Sequence, residues 1–281
     1  MIPMTTHSLT IPTKELLWIS DIHLDQAEAK VKRRFFEKLA TSRCDAVLIT
    51  GDISTSKHLI GDLTEISRAC GSGTKPVMLV LGNHDYFGSS FAEVDSAVEA
   101  LCKTHRNLVV LGQGEIVELS PDTALIGHRG FFDGLAGAGA RTRVGSADRY
   151  HISDFKELDK AGYFQKLREL GVESADYFRR VLPSALVKYG TVLVASHVPP
   201  FTQALRHCST HCHWESQPFF ACRATGNAIV GISRRFPYRR IVVHAGHSHS
   251  PWTVRICHNV EIQVAGAQPG FPAMQKIVTI G

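Results

Sequence analysis

Five short polar clusters each follow directly on a short apolar run, and this arrangement limits what the chain can fold into more than any other feature. Ser20-Asp21-Ile22-His23 follows the run 16–19, Thr50-Gly51-Asp52 follows 46–49, and Gly82-Asn83-His84-Asp85 follows 77–81. Farther on, Ser196-His197 follows 192–195 and Gly246-His247-Ser248-His249 follows 241–245. Runs of this length and Val/Ile/Leu content read as buried strands. Between the first three lie helical candidates at 26–41 and 59–70, the former with Val31, Phe35, Phe36 and Leu39 at helical spacing and charge on its other side. Strand, helix, strand, helix, strand predicts parallel βαβ units, an α/β fold. In such sheets ligands bind beyond the carboxyl ends of the strands, where all five clusters then sit. Asp21, Asp52 and Asn83 are successively 31 residues apart, one βαβ turn each, so the clusters are expected to converge.

Beyond residue 108 the pattern shifts toward strands that suit antiparallel pairing, at 116–119, 124–127, 253–257, 261–265 and 276–280, which predicts a second sheet. Two irregular stretches stand apart: 129–154, rich in Gly and Arg, and 199–223, rich in His, Cys and Phe. Long loops inside compact domains are usually functional, and both are expected near the active site. With 281 residues and 44% hydrophobic content, the chain is expected to form one domain over 1–281. A net charge of +5 admits anionic substrates, but the basic residues are dispersed, so nucleic acid is expected only as a substrate. Without a signal-like or membrane-spanning segment, the expected location is the cytoplasm, where seven unevenly spaced cysteines stay reduced.

The clusters supply two Asp, one Asn and four His. Mixed imidazole and carboxylate oxygen suits two divalent transition metals drawn from Mn, Fe, Zn, Ni or Co, and one carboxylate can bridge cations about 3.5–4 Å apart. Gly51, Gly82 and Gly246, each just before a candidate ligand, give the backbone room at a crowded site. The run His207-Cys208-Ser209-Thr210-His211-Cys212-His213, with Cys222 downstream, reads either as a substrate-facing loop or as a separate zinc site. Arg129, Arg141 and Arg143 are candidates for phosphate contacts or for a plain surface loop.

In order, D-I-H, G-D, G-N-H-D, S-H and G-H-S-H resemble the calcineurin-like metallophosphoesterase superfamily over about residues 18–249. H-V-P-P-F and F-F-A-C-R-A-T-G-N-A-I are further similar to a bacterial branch of it. The resemblance implies a four-layer α/β/β/α sandwich of two mixed β-sheets flanked by helices. It implies that Asp21, His23 and His249 hold one metal, that Asn83, His197 and His247 hold the other, and that Asp52 bridges them. His84 is then the catalytic histidine at the leaving group, oriented by Asp85. The implied activity is hydrolysis of a phosphoester by a metal-bridging hydroxide, a phosphodiester being favoured. The alternatives are a phosphomonoester or phosphoprotein phosphatase and a non-catalytic scaffold of the same fold.

Overall fold

The computed structural model describes residues 6–205 and 213–281. The first half runs β1 (His7–Thr10), β2 (Glu15–Ile19), α1 (Ala29–Thr41), β3 (Ala46–Thr50), α2 (Ser56–Ala69), β4 (Val77–Val80), α3 (Phe91–Thr104) and β5 (Leu108–Val110). There follow β6 (Glu115–Glu118), β7 (Thr123–His128), the single turn α4 (Asp148–His151), the long α5 (Lys160–Lys188) and β8 (Thr191–Ser196). The chain closes with α6 (Arg223–Ser233), β9 (Arg240–Ala245), β10 (Trp252–Cys257), β11 (Val260–Val264) and β12 (Met274–Thr279).

These strands form two mixed sheets, one of order β12-β2-β3-β4-β5 and one of order β1-β6-β7-β8-β9-β11-β10. In the first, β2 to β5 are parallel and β12 is antiparallel to β2. In the second, β7, β8, β9 and β11 are parallel, while β6 and β10 pair antiparallel with β7 and β11. Three apolar cores separate the layers. Strand alternation sends Leu16 and Trp18 of β2 into a core shared by the two sheets, where they meet Leu125, Leu193 and Val242. Leu17 and Ile19 face the other way, onto Phe35 and Leu39 of α1 and Leu63 of α2. On the far side of the second sheet, Val192, Val194 and Val243 pack against Phe178 and Leu182 of α5 and Ile229 of α6. Helix, sheet, sheet, helix is thus the layer order that the resemblance implied.

The C-terminal strand departs from expectation. It joins the first sheet beside β2 and not the second, because the free edge it covers is that of β2. The 29-residue α5 was not read from sequence at all. Its buried side chains (Leu167, Leu170, Ala175, Phe178, Leu182, Leu186) follow helical spacing, but Pro183 sits inside the helix, where a proline ordinarily signals a break. Asp159 caps its start by accepting from the Gly162 N–H at 2.7 Å. Among the described residues no helix is long and apolar enough to cross a membrane.

Candidate metal centre

The strands β2, β3, β4, β8 and β9 all deliver their polar clusters to one edge, where the backbone turns sharply. Asp21, His23, Asp52, His247 and His249 have φ of 51°, 38°, 52°, 68° and 54°, in the left-handed region that costs L-residues about 1–2 kcal/mol each. Ser72 is the other described non-glycine residue at positive φ, so this conformation is concentrated at the strand ends. Cross-strand bonds hold the turns: Asp21 N–H donates to Gly51 O at 3.0 Å, and His23 N–H to Asp52 O at 3.1 Å. The carboxylates are themselves held by backbone, His84 N–H donating to Asp52 Oδ1 at 2.9 Å and His247 N–H to Asp21 Oδ1 at 2.8 Å. A Cβ on Gly82 would strike the Asp52 carboxylate, and one on Gly246 the Asp21 carboxylate, so glycine is needed at both positions.

Two groups of donor atoms result. Asp21, His23, Asp52 and His249 form one; Asp52, His197 and His247 form the other, with the donor atoms of each group within 4.8 Å of one another. Asp52 belongs to both. His197 Nδ1 lies 2.8 Å from Thr50 O, which fixes its proton there and turns the Nε2 lone pair inward. That Nε2 lies 3.0 Å from Asn83 Oδ1, itself an acceptor. His247 Nε2 donates to Phe219 O at 2.8 Å, leaving Nδ1 for the site. His23 Nε2 and His249 Nε2 approach to 3.1 Å. Lone pairs pointing at one another in a buried space fit cations placed among them, and the imidazole–carboxylate mixture fits transition metals.

The charges respond accordingly. Burial pushes the Asp52 carboxyl up, but His197 and His84 outweigh it and hold it well below the usual range. Burial likewise opposes the charged form of His197, yet Asp52 raises that imidazole to about 10. Desolvation and the neighbouring His197 charge lower His247 to about 3.

A sequence profile of the calcineurin-like phosphoesterases matches residues 15–251. The chain belongs to that family. Its fold is similar to that of a dimetal phosphatase from Danio rerio, with a TM-score of 0.56 and 13% identity over 91% of this chain and 88% of that one. A Thermus thermophilus protein also matches, with a TM-score of 0.45 and 12% identity over 90% of this chain and 89% of the other. No curated protein matches the sequence.

In this calcineurin-like phosphoesterase, His84 stands outside both donor groups and lines a cavity of about 350 Å³ with Asn83, His247 and His249. Its ring stacks on Phe87, centroids 4.2 Å apart, and meets His23 edge-on at 4.8 Å. The expectation that Asp85 orients His84 is corrected. Its buried carboxylate instead accepts four backbone N–H groups: Asp52 and Gly82 on Oδ2 at 3.1 and 2.7 Å, and Ile53 and Ser54 on Oδ1 at 2.8 and 2.9 Å. Burial and the Asp52 charge raise this carboxyl to about 7, against the pull of those amides. Asp85 therefore ties the loop after β3 to the loop after β4.

Sequence reasoning missed Asp148, which accepts from Asn83 Nδ2 at 2.7 Å and from the Ser146 hydroxyl. The only signal for it was its place in the 129–154 stretch. Arg129 is engaged with other partners: it donates to Asp95 at 2.8 Å and Glu173 at 3.0 Å and lies over the Phe91 ring. Arg141 is exposed and Arg143 lies 3.5 Å from Glu215. His207, Cys208, His211 and Cys212 lie outside the described residues. Cys222 is buried, with Sγ 3.1 Å from Thr225 Oγ1.

Proposed function

We propose that the chain hydrolyses phosphoesters with two divalent transition-metal cations, one held by Asp21, His23, Asp52 and His249, the other by Asp52, Asn83, His197 and His247. The observation that carries this reading is the sharing of Asp52 between two largely buried donor groups. When bound, such cations supply Lewis acidity toward phosphoryl oxygens and toward an attacking water.

The chain's own residues do the rest. The Thr50 and Phe219 carbonyls fix one ring proton of each of His197 and His247 away from the site, so both rings are already oriented to turn their second nitrogen to a cation, which at His197 would displace the proton that Asp52 stabilises there. Asp85 holds the loop that carries Asp52 in register with the loop that carries Asn83 and His84. Phe87 holds the His84 ring at the cavity wall, where an imidazole N–H donates to the departing ester oxygen. No covalent phosphoenzyme is required.

The test is a screen of phosphomonoesters and phosphodiesters on protein whose bound Mn, Fe, Zn, Ni and Co have been quantified. Metal-dependent turnover of at least one class is expected. Two bound metals with no turnover of either class would contradict the hydrolase reading.

A further inference from the structure

We infer that the end of the second sheet opposite the metal centre binds a single strand of nucleic acid, in a cleft lined by Tyr238, Arg239, Arg240, Arg255 and His258. The inference stands apart from the phosphoesterase reading. The cleft, of about 310 Å³, lies where β9 begins and where β10 turns into β11. His247 follows the far end of β9, so the two sites are roughly 20 Å apart along a strand that rises about 3.3 Å per residue. These arginines therefore do not serve the catalytic cavity.

The backbone holds the cleft ready. Asn259, buried in the β10–β11 turn, directs Nδ2 at the carbonyls of Ser233, Phe236 and Arg239, at 3.3, 3.0 and 3.0 Å. His258 Nε2 lies 3.0 Å from Pro237 O. The turn after α6 is thereby tied to the β10–β11 turn, and arginines from separate stretches of sequence meet there. Arg234 lines the adjoining cleft, on the other side of His258. Among the described residues the guanidinium groups of Arg234, Arg235, Arg239 and Arg255 have no ion pair or hydrogen bond, and Arg240 has only Glu261, at 3.9 Å. Glu261 is the one carboxylate among the residues lining the cleft. Like charges gathered with so little counter-charge repel one another and attract a polyanion, and arginine forks match phosphate oxygens. Residues dispersed in the sequence thus form a basic face in the fold.

Tyr238 and the shape of the cleft select the polyanion. Tyr238 lines the cleft with its side chain 97% exposed and no core to fill. An unpaired nucleobase stacks on such a ring, whereas a duplex keeps its bases stacked inside. A bilayer surface is flat and calls for several exposed apolar side chains at one level; among the residues lining this concave site, Tyr238 is the one large exposed hydrophobic.

Fluorescence anisotropy of a labelled oligo-dT of about 12 nucleotides tests this on the full, metal-loaded chain, with the probe shown intact by gel. Affinity is expected to fall with salt, log K dropping by about 0.7 per log unit of salt for each phosphate neutralised. Arg239→Gln combined with Arg255→Gln should weaken binding about tenfold or more and make the salt slope shallower by about 1. Tyr238→Ala should weaken it about 5- to 100-fold at unchanged slope, with Tyr238→Phe close to wild type. Arg33→Gln combined with Arg34→Gln removes the same charge from the exposed face of α1 and should leave the affinity close to wild type. Equal weakening by the two arginine pairs would reduce the effect to the net charge of the chain and overturn the site. Tighter binding of a duplex of the same length would overturn it too, as would no binding of the oligonucleotide at low salt, with or without capture by phosphatidylserine vesicles through Tyr238 and Arg255. Each of these outcomes leaves the phosphoesterase reading standing.

Discussion

His84 and Phe87 lie face to face, their ring centroids 4.2 Å apart and their planes at 26°. The aromatic ring, and not the neighbouring carboxylate, sets the direction in which the histidine points. On the far side Phe87 stacks in turn on His151, at 5.0 Å, so the 129–154 stretch reaches His84 through one phenyl ring.

His84→Asn is expected to keep both metals and to lose turnover most on esters with a poor leaving group. A general acid contributes about 10²- to 10⁴-fold, and a nitrophenolate needs less of that help than an alkoxide. The check is the mutant-to-wild-type rate ratio for an alkyl and a nitrophenyl ester of the same class at matched metal occupancy. Equal losses on both would move His84 from the leaving group to the phosphoryl oxygens.

Asp148 holds the Asn83 amide so that its oxygen faces His197, and through it is expected to act on the proposed second cation. Asp148→Ala should weaken metal binding at the group containing Asn83, His197 and His247 by about 10- to 100-fold and spare the other group. Metal titration by calorimetry resolves the two. Unchanged affinity at both would show that Asn83 needs no such support.

Asp85 is a structural anchor, so its removal should be felt in stability before it is felt in the proton-transfer chemistry. Asp85→Ala leaves buried N–H groups of Asp52, Ile53, Ser54 and Gly82 without their acceptor, at about 1–3 kcal/mol each where water cannot reach. A loss of about 3 kcal/mol or more in denaturant unfolding is expected. A variant of full stability that differs only in leaving-group dependence would restore the orienting role.

The donor set was legible in the sequence because each candidate ligand follows an apolar run, and the end of a parallel strand fixes where the next residue lies. Asp21, Asp52 and Asn83 could be placed on one edge from that rule alone. Asp148 could not, since it sits 65 residues from Asn83 in an irregular stretch without periodicity. The role of Asp85 was misread because a carboxylate that accepts only backbone N–H groups leaves no side-chain partner to see in the sequence. The C-terminal strand was placed in the wrong sheet for a related reason: which free edge a strand covers is decided by tertiary packing, here by the face of β2.

His244 offers a test of the packing between the sheets, away from the metals. It meets Trp18 edge-on at 4.7 Å, it is buried, and neither ring nitrogen has a hydrogen-bond partner among the described residues. Burial, helped by Lys276, lowers it to about 3. The unfolded chain therefore binds a proton below about pH 6.5 that the folded chain refuses until about pH 3, so the stability tied to this neutral ring is complete above pH 6.5 and is lost as pH falls. The slope approaches about 1.4 kcal/mol per pH unit within that window. His244→Phe should flatten the acid limb of stability between pH 6.5 and 4 relative to wild type, as read by urea unfolding at each pH. Parallel acid limbs would contradict the assignment.

The central claim is that two cations share Asp52. Elemental analysis after equilibrium dialysis, set beside turnover, tests it most directly. About two transition-metal ions per chain are expected in wild type, with loss at both positions in Asp52→Asn and at one position in Asp21→Asn. Full occupancy and normal turnover in Asp52→Asn would contradict the account.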